Sequence, residues 1–150
     1  MKMSYVTDRK GKSTEAFDLI MRKEFAYQIL KGEKTVEYRD FSKFYLNRFY
    51  KDTKSWELRT DSNCVHFHDY NNTWFLDVLV TEIEFFTFSD HDFFWHMYRG
   101  DTTFEKEIEE HHAKKRGFYD PDTTGCFCLP IAAIINTNLD ISGLDVEFMD

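Results

Sequence analysis

The chain contains few cysteines, and their spacing does not indicate a disulfide framework. Only three occur among 150 residues, Cys64 and the alternate pair Cys126 and Cys128. Small secreted domains that depend on disulfides usually carry an even and denser set. We therefore expect three free thiols in a reducing compartment, and we predict a cytoplasmic protein.

Long hydrophobic runs are also absent. The longest nearly unbroken apolar run, 126–135, has ten residues and includes Pro130, whereas a helix needs about 20 apolar residues to span a membrane. The N-terminal residues are polar and basic, without the continuous apolar segment of a signal peptide. We expect neither export nor a membrane partner, and we interpret 126–135 as a buried strand.

The net charge of −8 conceals two halves of opposite sign. Residues 1–60 carry 14 Lys and Arg against 9 Asp and Glu, whereas residues 61–150 carry 5 against 18. An acidic protein is not broadly attracted to nucleic-acid phosphates, but a basic patch separated from the acidic surface can still bind a short or single-stranded piece. The total charge therefore does not exclude a nucleic-acid partner.

Aromatic residues are abundant and indicate a folded α+β domain with a core of rings. They make up 18% of the chain, with 16 Phe and 8 Tyr. The length suits one core, so we predict a flexible N-terminal arm over 1–14 and a single domain over 15–150. Periodicity predicts the following elements: a strand over 16–21, a helix up to Lys31, a strand over 34–40, a basic amphipathic helix over 41–50, a hairpin between 65–68 and 74–88, helices over 89–99 and 102–116, a strand over 126–135 with an edge or bulge at Pro130, and a last strand or partner-binding strip over 144–148.

The most informative stretch is 29–40, where an apolar helical pattern ends at a glycine and strand alternation begins. One face of the predicted strand is apolar, and the other carries Thr35, Glu37 and Arg39, with Lys34 at the strand entrance. A lysine beside a carboxylate can bind an anion or accept a proton, and an arginine can clamp phosphate or carbonyl groups. Residue types alone leave open a second interpretation, an ordinary ion pair on a solvent-exposed face.

The junction contains the string Ile29-Leu30-x-Gly32-x-Lys34-Thr35-Val36-Glu37-x-Arg39. This string resembles the signature of the ASCH family within the PUA-like superfamily. The order of predicted elements resembles the rest of such a domain over most of 16–135. The resemblance implies a small PUA-like mixed β-barrel with peripheral helices. It also implies a cleft beside Lys34, Glu37 and Arg39 that binds RNA or a nucleotide-like ligand.

An enzymatic alternative also follows from the resemblance. Some small ASCH proteins resemble amidohydrolases that act on N4-acetylcytidine, with a motif Lys, a Thr three residues later and a distant Glu. Lys34 matches, but Glu37 occupies the Thr position, and Asp101 is a poor substitute for the distant Glu. Catalytic roles for Lys34 and Glu37, in amidohydrolase or nuclease chemistry, therefore remain an alternative to ligand binding. Thr35 is assigned to the ligand site, and no cofactor is implied.

Basic and aromatic residues alternate after the junction, and we add Lys43 and Arg48 to the predicted RNA or ligand site. Such a mixture suits phosphate contacts combined with base stacking. An amphipathic helix with a solvated basic face and core-facing rings gives the same pattern. The aromatic residues of this segment include Phe44, Tyr45 and Tyr50.

Two further interpretations remain open. Cys64, His66 and His68 share one face of a predicted strand and could offer soft and imidazole ligands to zinc, but a fourth ligand is missing, and a strand face of mixed polarity is the alternative. The acidic half, or the strip 144–148, could instead dock a protein partner by strand addition. No metal is assigned.

Overall fold

The computed structural model describes residues 3–40, 42–52, 54–55, 57–87 and 125–150. Within these ranges the protein is a mixed α+β domain, as expected. Two helices and seven strands are described in these parts of the chain: β1 (Ser4–Thr7), β2 (Ser13–Ile20), α1 (Lys23–Leu30), β3 (Val36–Asp40), α2 (Lys43–Phe49), β4 (Cys64–His68), β5 (Phe75–Val80), β6 (Glu84–Thr87) and β7 (Gly125–Thr137).

The seven strands form one sheet, which is not closed into a barrel. Its order is β1-β2-β4-β5-β7-β3, with β6 also paired to β7. The pair β2 and β4 is parallel, and the other pairs are antiparallel. The closed barrel implied by the family resemblance is therefore not formed by the described strands, because β1 and β3 lie at opposite ends of the path without pairing to each other.

The N-terminal residues form part of the sheet, contrary to the flexible arm predicted over 1–14. Ser4–Thr7 pairs antiparallel with the first residues of β2. The Asp8 carboxylate closes the connecting turn by accepting the backbone N–H groups of Lys10 and Lys12, each at 2.9 Å. The side chain of Val6 is buried in a small cluster with Ala16, Cys64 and Ile135. The interpretation as a loose arm was wrong for Ser4–Thr7, because these residues pair with β2 and the side chain of Val6 packs against buried residues of other strands.

The main core lies on one face of the sheet. Phe17 and Leu19 of β2 stand opposite Val65 and Phe67 of β4, and all four side chains are buried. Helix α2 adds Phe49, whose ring meets Phe17 edge-on at 5.3 Å and Phe127 of β7 at 5.1 Å. Helix α1 contributes Ala26, Ile29 and Leu30 to the same cluster. Aromatic rings thus join the strands and both helices, as the composition predicted.

The central hairpin is confirmed, with β4 and β5 joined by the turn that includes Asn72 at a φ of 56°. The predicted buried strand is confirmed as the longer β7. Pro130 lies on a strand paired to β3, β5 and β6, so it is not on an edge strand; a register shift between Leu79 and Val80 lies nearby.

Other predicted elements differ from the structure or lie outside it. The run predicted over 74–88 is divided into β5 and β6. The helices predicted over 89–99 and 102–116 lie outside the described residues. Near the C-terminus, Phe148 makes an isolated bridge with Ile134 instead of extending a strand over 144–148. No helix in the described parts of the chain is long and apolar enough to cross a membrane.

Candidate functional site

The turn between α1 and β3 places Lys34 at the start of the candidate site. Helix α1 ends at Leu30, and Gly32 adopts a positive φ of 76° while its N–H bonds to the carbonyl of Ile29 at 3.0 Å. The carbonyl of Gln28 then accepts the N–H groups of Glu33 and Lys34, at 2.9 and 3.1 Å. These bonds are typical of a glycine-terminated helix, and they confirm the predicted helix end.

The charged face of β3 is the face that points into the core. Glu37 lies opposite Leu129, and Arg39 lies opposite Phe127, both of which are fully buried residues of β7. The pleat places paired side chains on one face, so the two charged residues project among core side chains. The alternative of a solvent-exposed ion pair is therefore wrong: the side chain of Glu37 is only 6% exposed, and that of Arg39 only 12%.

A buried ionic network joins Lys34, Glu37 and Arg39. The Lys34 Nζ lies 3.5 Å from Oε1 of Glu37, and its side chain is completely buried. Arg39 donates from Nη2 to Oε2 of Glu37 at 2.9 Å and from Nη1 to the Tyr45 hydroxyl at 3.1 Å. The backbone N–H of Tyr38 also donates to Oε1 at 3.1 Å. One carboxylate therefore orients two cations.

Aromatic rings surround these cations. Nζ of Lys34 lies 5.5 Å from the ring centroid of Phe25 and 5.2 Å from that of Tyr38. The guanidinium of Arg39 lies 5.9 Å from the ring of Phe67. Ring faces attract cations and displace water from them, so the network is held in a poorly solvated environment.

This environment affects the ionisation of Glu37 and Arg39. Burial acts to raise the pKa of Glu37, but the charges of Arg39 and Lys34 and the hydrogen bonds to its oxygens outweigh burial and lower the pKa below its ordinary value. Burial opposes the charged form of Arg39 as well, yet Glu37 and Tyr45 raise its pKa. Glu37 therefore remains a carboxylate at neutral pH and acts as an acceptor, not as an acid.

The other predicted site residues lie outside the buried network. Thr35 is exposed, and its backbone carbonyl accepts the N–H of Ile131 at 2.8 Å. Lys43 is exposed at the first position of α2. Arg48, five residues further along, is half-buried and donates to the carbonyl of Asp18 at 3.0 Å. The structure thus brings together Lys34, Glu37 and Arg39. The other predicted residues, Thr35, Lys43 and Arg48, are exposed or half-buried and are not part of this network.

A second polar cluster lies on the sheet face opposite the main core. His66 Nδ1 is hydrogen-bonded to Oδ1 of Asp77, and His68 Nε2 lies 2.5 Å from Oδ1 of Asp18. The two imidazoles stack with centroids 5.3 Å apart. The hydrogen bond to Asp77 outweighs burial and raises the pKa of His66, whereas burial raises the pKa of Asp77 despite that bond. Hydrogen bonds from Ser4 and His68 overcome burial and lower the pKa of Asp18.

This cluster does not form the zinc site considered for Cys64, His66 and His68. Both nitrogens of His68 already face acceptors, Asp18 and the Asp69 carbonyl. Cys64 is buried among apolar side chains. Among the residues that the structure describes, no group of three ligating side chains could hold a metal ion. All three cysteines are free thiols, as predicted.

Sequence reasoning did not identify Tyr45, Asp18 and Asp77 as functional partners. Tyr45 was predicted only to face the core from α2. In the structure its hydroxyl also accepts a hydrogen bond from Arg39. The two aspartates interrupt the apolar strands β2 and β5, and an isolated acidic residue in such a strand is a signal that a partner lies across the sheet. Which histidine each one meets depends on strand pairing, which the sequence does not state.

Comparisons with known proteins return no relative. No family model matches the chain, no curated protein matches it, and no solved structure matches its fold.

Proposed function

We propose that this chain is an RNA- or nucleotide-binding domain of the ASCH, PUA-like kind, and that Arg39 at the end of the buried network contacts the ligand. The observation that supports the proposal most strongly is the pairing of two buried cations with one buried carboxylate. Burying charges opposes folding unless the geometry compensates, and such arrangements concentrate at functional sites. Two cations on one carboxylate leave the network with a net positive charge, which an anionic ligand would complement.

Arg39 is the residue best placed to reach a ligand. Within the described parts of the chain, each terminal nitrogen of Arg39 donates one hydrogen bond, Nη1 to Tyr45 and Nη2 to Glu37. A guanidinium has five N–H donors in a planar fork, so further donors remain for a phosphate or a carbonyl oxygen. Because Glu37 and Tyr45 fix the plane of the fork, little side-chain entropy is lost when a ligand binds.

A buried acceptor on α1 supports a ligand with hydrogen-bond donors. In the described part of the chain, Oε1 of Gln28 is buried and has no hydrogen-bond partner. The backbone carbonyl of the same residue is bonded to the N–H of Lys34. Buried acceptors in native proteins are normally satisfied. A base amino group or a ribose hydroxyl would supply the donor, which suits a nucleotide better than a simple inorganic anion.

The hydrolase alternative is supported by one distance and opposed by one charge state. Nζ of Lys34 lies 3.5 Å from Oε1 of Glu37, somewhat longer than the roughly 2.6–3.2 Å of a working catalytic pair but typical of ligand-free sites that tighten when substrate binds. However, the lowered pKa of Glu37 keeps it ionised, and its oxygens already accept from Arg39 and Tyr38. Assaying acetate release from N4-acetylcytidine by the intact protein separates the two functions, since a binding domain releases none.

Ligand binding is tested by fluorescence anisotropy with a labelled single-stranded RNA of about eight nucleotides, and with nucleoside 5′-monophosphates as competitors, across a salt series. We expect binding at low salt that Arg39→Gln weakens, together with a salt slope lower by about 0.7 for each lost phosphate contact. Lys51→Gln is the control for the loss of one positive charge, because Lys51 is an exposed cation paired with Glu57. No binding at low salt, or equal losses in the two variants, contradicts the proposal.

A further inference from the structure

An exposed aromatic ring on α2 is covered by an arginine. Phe44 is 57% exposed, and the guanidinium carbon of Arg48 lies 4.7 Å from its ring centroid. The two residues are four apart in the helix, so their side chains occupy neighbouring positions on its surface. Arg48 is itself held in place, since its Nη1 donates to the Asp18 carbonyl at 3.0 Å. The hydrogen bond to Asp18 thus holds the guanidinium of Arg48 against the ring of Phe44.

This pair adjoins the buried network through a single side chain. The ring of Tyr45 lies 5.0 Å from that of Phe44 and 5.7 Å from the guanidinium of Arg39, which places Phe44 within about 11 Å of Arg39. Tyr45 also accepts a hydrogen bond from Arg39 at 3.1 Å. Cations and rings therefore continue from the interior of the domain to its surface, and exposed Lys43 lies beside Phe44 on the same helix.

We propose that Phe44 and Arg48 form a base-stacking platform, and that the ligand of this domain is a single-stranded nucleic acid longer than one nucleotide. Arg39 contacts one nucleotide and the platform receives the base of a neighbouring one. This inference rests on the proposed nucleic-acid function and names the form of its ligand.

The chemistry of the platform favours an unpaired base. A base presents a flat π face that stacks on a phenyl ring, and the adjacent guanidinium adds a cation–π contribution and a charge for the following phosphate. In a duplex the bases are already stacked on their neighbours, so a double-stranded competitor does not offer this face. An exposed phenylalanine also leaves apolar area in water, and a stacked base would remove it.

The platform is tested with Phe44→Ala, measured against the single-stranded RNA of about eight nucleotides and against a nucleoside 5′-monophosphate. We expect the affinity for the oligonucleotide to fall by about 5- to 150-fold, the loss per stacked base on alanine substitution. Affinity for the monophosphate should not change, and Phe44→Trp should restore oligonucleotide binding. Tyr70→Ala is the matched control, because Tyr70 is an aromatic residue 83% exposed in the β4–β5 turn.

The outcomes separate this inference from the function on which it rests. If the RNA binds in an Arg39-dependent manner and Phe44→Ala binds it as the wild type does, the platform is refuted while the binding function stands. If Phe44→Ala and Tyr70→Ala weaken binding equally, the platform is refuted as well. If the wild type binds neither probe at low salt, both proposals fail. A duplex of the same sequence that competes as well as the single strand contradicts the preference for unpaired bases.

Discussion

Replacing Glu37 by glutamine removes the negative charge between Lys34 and Arg39 without changing the size of the side chain. Both cations stay buried, with side chains 0% and 12% exposed. In the variant, the amide can still accept hydrogen bonds, but it no longer offsets either charge. The perturbation therefore isolates the electrostatic contribution of a single carboxylate to a buried network.

The expected loss of stability is large. Removing one partner of a buried ion pair leaves an uncompensated charge and lowers the free energy of unfolding by about 3–5 kcal/mol. With a urea m-value of about 2 kcal/mol/M for a domain of this size, the unfolding midpoint falls by about 1.5–2.5 M. That loss is a substantial fraction of the stability of an ordinary domain.

Urea unfolding monitored by circular dichroism measures this loss, and Glu57→Gln provides the matched control. Glu57 is also paired with a lysine, Lys51, but the two side chains are 61% and 51% exposed, so solvent screens the pair and the midpoint should stay close to that of the wild type. Unfolding of the two glutamine variants at the same urea concentration would refute the electrostatic contribution assigned to Glu37. A partial recovery of stability on replacing Lys34, Glu37 and Arg39 together by Met, Leu and Met would attribute the loss to charge and not to packing.

Three further predictions concern other parts of the fold. The hydrogen bond to Asp77 raises the pKa of His66, so the stabilisation from this hydrogen bond is complete below about pH 6.5 and is lost as the pH rises through the higher pKa of the folded state. Urea midpoints at pH 6 and pH 8 should therefore differ less in His66→Gln than in the wild type, and equal differences would contradict the pairing of His66 with Asp77. Gly32→Ala should lower the free energy of unfolding by about 1–2 kcal/mol, because the φ of Gly32 is 76° and an added Cβ would meet no atom within 4 Å, so only backbone strain acts. Thermal unfolding measures this loss, and a neutral effect would exclude the left-handed conformation. Ser42→Ala removes the helix-capping hydroxyl that accepts the Tyr45 N–H at 3.4 Å, and it should lower the free energy of unfolding by about 0.5–1 kcal/mol in the same measurement. An unchanged midpoint would show that the cap contributes nothing.

Features that depend on neighbouring residues could be predicted from the sequence. The change of period at Gly32 predicted where α1 ends and β3 begins, because helix termination and strand alternation are local properties. The amphipathic pattern predicted α2, and the turn residues between β4 and β5 predicted the central hairpin. The three charged residues Lys34, Glu37 and Arg39 all lie at this predicted junction or on the strand that follows it.

Features that depend on distant residues could not be predicted from the sequence. The flexible arm expected at the N-terminus was replaced by β1, because Val6 is buried against Ala16, Cys64 and Ile135, which come from other strands. The sheet did not close into a barrel for the described strands, since strand order follows from pairings across the whole chain. The pairs of His66 with Asp77 and His68 with Asp18 likewise require the register of β2, β4 and β5.

The sequence alone determined that Lys34, Glu37 and Arg39 share a helix-to-strand junction, because spacing along the chain decides which side chains lie near one another. Only the tertiary structure decided that Glu37 and Arg39 point into the core. The pairing of β3 with β7 puts them opposite Leu129 and Phe127, about 90 residues away in the sequence. A strand has two faces, and local alternation separates them without stating which one is buried.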